Sequence, residues 1–368
     1  MITYKANFFD VAKNVYFKKN SPVSLIHFLT NRCNARCSFC FIDFNNPNTF
    51  KGELTISEIE KLTKNLGNSL INVNFTGGEP FARKDITDIA KLYIKNSTIQ
   101  SLYITTNASL PERIINFAKE INEYDKNIEL CFQISIDDMP EKHNKVRKLD
   151  NLFENCLFTY RELKKLNKKN INPVVSITVT HENCENIEEI FHYFTDICKI
   201  DSLKCCLVRD EGVYSRPKSK IDKIIKAYDL LTNKILDYQK KNKIINYNSN
   251  SIQGRINNKK DRISWNLVKR IYSNNEYISP CHASSLFGII TADGKLYPCE
   301  ILEDKMIGSL RDVNMDLMKL WNGQNNQDIK NHILSTKCKC TYECGLSFNI
   351  LGNWRYQLNL LSGLLSKY

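Results

Sequence analysis

The chain has no apolar run near the roughly 18–20 residues that a bilayer-crossing helix requires. Its first twenty residues, MITYKANFFDVAKNVYFKKN, contain neither an h-region nor a small-residue cleavage site. No internal repeat is present. These absences leave no membrane span and predict a cytoplasmic protein. Acidic residues are also scarce in one place: from Arg216 to Arg270 there are fifteen Lys and Arg against four Asp and no Glu. That stretch is either a basic wall for an anionic partner or a set of solvated helix faces. Cysteine is plentiful, at 14 in 368 residues, and in a reducing compartment close cysteine spacings mark metal or redox sites more often than disulfides.

The length suits one large α/β domain with an appendage, or two domains. Short β-branched runs at 22–29, 71–75, 101–106, 128–137, 174–180 and 202–208 read as strands. Helical patterns separate them at 55–68, opened by a Thr N-cap, and at 85–96, 111–124, 149–166 and 186–199. This alternation predicts a parallel sheet curled into a partial (β/α)6 TIM-like barrel, with chemistry at the C-terminal strand ends. Residues 213–277 read as a basic, mostly helical connector. From Cys281 the sequence LFGIITADGKLYPCEI reads as a hairpin turning at Asp293-Gly294, followed by a helix at 315–323. The expected division is 1–20 extension, 21–212 barrel, 213–277 connector, 278–346 small α+β module and 347–368 C-terminal helix.

Eight cysteines fall into motif-like groups. The first is Cys33-x3-Cys37-x2-Cys40, directly after the first strand, with Phe39 before the last thiol. It has no fourth local ligand: His27 lies on the strand itself, and no Cys or His follows in the loop. Three thiolates can hold a zinc ion with an open position or a [4Fe–4S] cube with one open iron. The other six cysteines, Cys131, Cys156, Cys184, Cys198, Cys205 and Cys206, read as small buried hydrophobes.

Further motifs follow at successive strand ends: Thr76-Gly77-Gly78-Glu79-Pro80, Thr105-Thr106-Asn107, and Ser135-Ile136-Asp137 with His143 and Arg147 downstream. The glycines permit close backbone approach to a ligand, and Glu79 offers a carboxylate to an ammonium group. Together with the cysteine triplet, the series resembles the radical S-adenosylmethionine (SAM) superfamily, through its CxxxCxxC, GGEP, TTN-type and SxD motifs and its HxxxR tail. The resemblance spans about 180 residues. It implies that Cys33, Cys37 and Cys40 hold a [4Fe–4S] cluster whose fourth iron binds SAM. It further implies that Phe39, Gly77, Gly78, Glu79, Pro80, Thr106, Asn107, Ser135, Asp137 and Arg147 surround SAM. Reductive cleavage would then give a 5′-deoxyadenosyl radical that abstracts a substrate hydrogen.

The second group, Cys281-x12-Gly294-x4-Cys299 with Cys338-x-Cys340-x3-Cys344, resembles the SPASM and twitch extensions of that superfamily. Five cysteines suit one auxiliary [4Fe–4S] cluster: Cys281 and Cys299 with two of Cys338, Cys340 and Cys344. A structural zinc is the alternative. Glu300 matches in position an acidic residue assigned as a base in sulfatase-maturing relatives, and is otherwise a surface side chain. The resemblance favours an oxidoreductase or maturase that modifies a peptide or protein, with oxidation of an aminocyclitol, sugar or nucleotide-linked sugar as the alternative. A non-catalytic iron–sulfur or zinc protein is the distant one. Expected partners are a reductant such as flavodoxin or ferredoxin and a peptide, protein or small anionic substrate; no nucleic-acid partner is expected.

Overall fold

A computed structural model describes residues 6–209, 221–247 and 252–365. Residues 216–220, where the basic stretch begins, and the expected boundary at 212/213 lie outside them. After α1 (Phe8–Lys13), the chain alternates β1 (Ser24–Thr30), α2 (Ile56–Thr63), β2 (Asn72–Gly77), α3 (Ile86–Asn96), β3 (Ser101–Thr106), α4 (Pro111–Tyr124) and β4 (Glu129–Ser135). It continues through α5 (Pro140–Arg147), α6 (Leu152–Lys165), β5 (Ile171–Val179), α7 (Ile187–His192) and β6 (Leu203–Leu207). These six strands are all parallel, in the order β6-β5-β4-β3-β2-β1, and form the expected partial barrel. Local sequence sets the elements: Thr55 and Glu58 close a capping box at the start of α2, and Pro111 and Pro140 open α4 and α5 at the first turn.

The connector forms α8 (Ile221–Lys240) and α9 (Ile252–Asn274), and the C-terminal part forms β7 (Phe287–Ile290), β8 (Lys295–Tyr297), β9 (Gly308–Ser309), α10 (Leu317–Trp321), α11 (Gln324–Ser335), α12 (Glu343–Gly352) and α13 (Gln357–Leu365). Two expectations change here. The hairpin does not stand apart from the barrel, because β7 pairs parallel with β1 and extends its sheet to nine strands. Every residue of β1 is buried, as suits a strand with neighbours on both edges, and the wholly buried run FGII supplies the second neighbour. The C-terminal helix, for its part, begins at Glu343 rather than 347 and breaks at Asn353, so Cys344 sits in a helical first turn.

Part of the basic stretch is neither a partner-binding wall nor a solvated face. On α9, Lys260 and Asp261 are largely buried side chains that pair with each other. Asp261 sits near Lys204 of β6, whose ammonium lies 5.5 Å from the ring centre of Tyr103 and 5.1 Å from that of Tyr247. Burial opposes the charge on Lys204, but Asp261 and its neighbours outweigh that and raise its pKa. This part of α9 thus faces charged and aromatic side chains of β3, β4 and β6.

On the α3 side, His27 of β1 is fully enclosed by Phe75 and Tyr93, with the Tyr93 hydroxyl 2.9 Å from Nδ1. Burial, reinforced by Arg83, lowers its pKa to about 3, so the folded chain keeps it neutral where the unfolded chain, with a pKa near 6.5, takes a proton. Its contribution to stability is complete above pH 6.5 and falls by about 1.4 kcal/mol per unit from there down to about pH 3. Unfolding free energies measured across this range should fall less steeply in His27→Phe than in the wild type. Equal slopes would contradict the assignment.

Candidate functional site

The loop that leaves β1 carries Cys33, Cys37 and Cys40, all half-buried. It is stitched by backbone bonds to the end of β2 and to the end of α5. Gly78 N–H donates to Thr30 O (2.7 Å) and Glu79 N–H to Arg32 O (2.8 Å), while Arg36 N–H and Ser38 N–H donate to Arg147 O (2.9 Å) and Val146 O (3.2 Å) at the end of α5. Two side chains reach the sulfurs: Asn107 Nδ2 lies 3.6 Å from Cys33 Sγ, and Arg147 Nη1 lies 3.8 Å from Cys37 Sγ. The Arg147 guanidinium also sits 5.7 Å from the ring centre of Phe39. Burial pushes the Cys33 thiol up to about 11 and raises Cys37 as well, with Arg147 working against the latter shift.

The glycines stand against the cysteine loop. A Cβ on Gly77, whose φ is +123°, would stand 2.2 Å from Thr30 O, and one on Gly78 would stand 2.2 Å from Arg32 O. They let β2 approach the backbone of the cysteine loop closely. Glu79, at the start of the turn that Pro80 opens, is fully buried and accepts from Phe81 N (3.1 Å), Thr106 Oγ1 (2.8 Å) and Asn107 N (2.7 Å). Burial raises its pKa to about 7 against the pull of those bonds. Asp137 is likewise engaged inside the protein: Oδ2 takes Arg147 Nη2 at 2.6 Å, and Oδ1 takes Thr178 N at 2.9 Å. His143 Nδ1 accepts from Asp137 N at 3.3 Å, and burial keeps this ring neutral, with a pKa near 3. Ser135 ends β4 in register with Ser176, and among the described residues its hydroxyl makes no hydrogen bond. Glu79, Asp137, His143 and Arg147 thus form a braced frame at the strand ends.

In the second group, a thiol hydrogen bond from Cys338 holds Cys281 down to about 7 and pushes Cys338 up. Cys281, Cys338 and Cys340 line one small hollow with Asn349. Cys299 is buried, which raises its thiol to about 12, and it interacts with both Cys281 and Cys338. Cys344 lies further over, near Cys206, Arg209 and Glu300.

Glu300 is no free surface side chain. It forms a close ion pair with Arg209, accepts from the Tyr342 hydroxyl at 3.1 Å, and the Arg209 guanidinium lies over the Tyr342 ring at 4.2 Å. Sequence reading missed Arg209 and Tyr342. Arg209 stands just past β6, and that strand-end position was the one available signal.

A cavity of about 500 Å3 is lined by residues of the loop after Cys40 and of the hairpin that carries Cys299. Phe41 and Ile42, directly after Cys40, form one wall, Cys299, Glu300 and Glu303 another, and Phe28 of β1 and Ile289 of β7 its floor. The donor sets fit iron–sulfur clusters: thiols with N–H groups set close to their sulfurs suit thiolate ligands, and three thiols for four irons leave one iron to a ligand of another kind. Among the described residues no three His, Cys, Asp or Glu side chains gather around a single-ion position; a cube takes its thiolates one per iron.

The family model for the Radical SAM superfamily matches residues 28–194, and that for the SPASM iron–sulfur cluster-binding domain matches residues 281–345. Native anSMEcpe with bound AdoMet has a similar structure, with a TM-score of 0.61 at 18% identity over 94% of this chain and 98% of that one. Streptococcus suis SuiB bound to precursor peptide SuiA reaches 0.56 at 16% identity over 88% and 69%. At these identities the likeness is one of fold.

Proposed function

We propose that this chain, a radical SAM enzyme with a C-terminal SPASM iron–sulfur domain, oxidises or cross-links a peptide or protein. The observation that carries the reading is a cavity lined both by the residues after Cys40 and by Cys299 and Glu300. Its volume lies within the range of small-ligand sites and takes a side chain with its flanking backbone. Two proteins of the same fold bind peptides: anSMEcpe with Cp18Cys peptide, and SuiB with precursor peptide SuiA.

The [4Fe–4S] cluster and SAM, when bound, supply one-electron cleavage of a sulfonium C–S bond and abstraction of a hydrogen atom. The chain's part is to bind, orient and exclude water. Cys33, Cys37 and Cys40 would hold the cluster on a loop braced by Asn107 and Arg147. Glu79 sets a carboxylate at the strand ends for the SAM ammonium, and Ser135 offers a hydroxyl to its sugar. Asp137 supports Arg147 rather than reaching a ligand itself. Glu300, oriented by Arg209 and Tyr342, is placed to take the proton released when a substrate is oxidised. A reduced flavodoxin or ferredoxin would supply the electron.

Anaerobic turnover with a deuterated peptide substrate tests this reading: label should pass into 5′-deoxyadenosine. Label arriving only from a deuterated sugar or aminocyclitol would replace the peptide with a small molecule. Glu300→Gln should leave 5′-deoxyadenosine formation intact and lower product formation about 100-fold; equal losses in both would remove its role as a base.

For the auxiliary cluster, Cys281, Cys299 and Cys338 form the centre of the ligand set, with Cys340 or Cys344 as the fourth. Starting from a chain without the first cluster, Cys338→Ser should reduce bound iron from about four per chain to below one. One of Cys340→Ser and Cys344→Ser should match it. Full iron in Cys338→Ser would move the site to Cys340 and Cys344.

A further inference from the structure

Lys259, Arg262, Ile263, Asn266, Leu267 and Arg270 follow one another at helical spacing along one face of α9, and with Tyr356 and Asn359 they line a cavity of about 310 Å3. No acidic side chain is among the described lining residues, which include three cations, Lys259, Arg262 and Arg270. Arg270 pairs with Glu276 at the edge. Lys260 meets Asp261 and Lys269 meets Asp229 elsewhere on the helix. Tyr356 is only 6% exposed, and its hydroxyl has no hydrogen-bond partner among the described residues. A buried hydroxyl left without a partner is an uncommon expense unless something from outside meets it. Leu267 also lines the hollow that contains Cys281, Cys338 and Cys340, so the cationic cavity adjoins the auxiliary cysteines across α9.

We propose that this cavity is a docking site for carboxylate side chains in an acidic stretch of the peptide substrate, apart from the segment that reacts. The proposal rests on the peptide-modifying reading given above. Charge selects the ligand, and shape selects its class: a concave site with a hydroxyl in its wall accepts inserted side chains, whereas a folded acidic carrier meets a flatter face. Trp354 and Leu358, on either side of the cavity-lining Tyr356 in the sequence, are exposed and suit apolar residues interspersed with the acidic ones. Docking here tethers the peptide and raises the effective concentration of its reactive part at the main cavity, so its loss should raise KM and leave kcat unchanged.

The test uses the full-length, anaerobically reconstituted protein and the fluorescence anisotropy of a fluorescein-labelled peptide of Glu, Leu and Ser. Wild type should bind it with an affinity that falls steeply with salt, and a peptide with Lys in place of Glu should not bind. Lys259→Glu with Arg262→Glu should weaken binding about tenfold or more, and Tyr356→Phe, which removes only the hydroxyl, about threefold. SAM cleavage without peptide should be unchanged in both variants. Equal binding of the Lys peptide, unchanged affinity in the variants, or full displacement by inorganic phosphate would overturn the proposal, the last revealing a small-anion site. Weakened binding of reduced flavodoxin, with the peptide unaffected, would overturn it in favour of a carrier site. Because binding is read without turnover, failure of peptide modification with binding intact would count against the catalytic reading alone.

Discussion

With Cys33, Cys37 and Cys40 all replaced by alanine, dithionite and SAM should yield no 5′-deoxyadenosine above background, while about four irons per chain remain. The first part follows from the loop: it holds three half-buried thiols, two of them met by Asn107 and Arg147, and offers no fourth. The second follows because Cys281, Cys299 and Cys338 interact with one another and none of them belongs to the loop that follows β1. Anaerobic iron analysis and chromatography of the quenched reaction provide both readouts. Continued SAM cleavage would exclude the loop as the site of initiation. Loss of all iron would mean that the two groups do not fold independently.

Gly78→Ala is expected to act almost as severely without touching a ligand. The added methyl would stand 2.2 Å from Arg32 O, 2.6 Å from Arg32 C and 2.8 Å from Asn31 O. All three are backbone atoms and cannot turn aside as a flexible side chain can. The loop must move, and the Glu79 N–H to Arg32 O bond goes with it, at a cost of about 3 kcal/mol. The variant should lose the first cluster's absorbance and its 5′-deoxyadenosine, yet keep the auxiliary iron. Gly52→Ala is the matched control. It lies in the cysteine loop itself, between β1 and α2, at φ +76°, but its Cβ would meet nothing closer than 3.5 Å, so about 1 kcal/mol of backbone strain and a full complement of iron are expected. Retention of both clusters in Gly78→Ala would show that β2 need not approach the loop so closely.

The barrel was legible because its signals are local. Each of the six parallel strands is a short apolar or β-branched run with a helical pattern after it, and Thr55 with Glu58 announces α2 within four residues. The motifs stand at strand ends because a parallel sheet places its loops there. What escaped sequence reading depends on residues far apart in the chain. The pairing of β1 with β7 joins residues more than 250 positions apart, and FGII carries no mark of its partner. Arg209 and Tyr342 reach Glu300 from separate elements, as no spacing could reveal. The hydrogen bonds that Glu79 and Asp137 accept from Thr106, Asn107, Thr178 and Arg147 become visible only once the strand ends converge. α11 begins QNNQ, too polar to show a core-facing stripe, though Ile329 and Ile333 bury one.

The place of β1 in the sheet bears on how the chain is made. Both of its neighbours, β2 and β7, come after it in the sequence, and the second is complete only at Ile290. During synthesis, about 260 residues must therefore emerge after Thr30 before the far edge of β1 is covered. Until then a strand whose every residue is buried in the finished fold presents unpaired backbone groups to solvent, the state most open to mispairing with other chains. Nascent chains halted before Phe287 should consequently collect on chaperones, and ones released just beyond Tyr297 should not. Ribosome-bound fragments of graded length would show the change as a step rather than a slope.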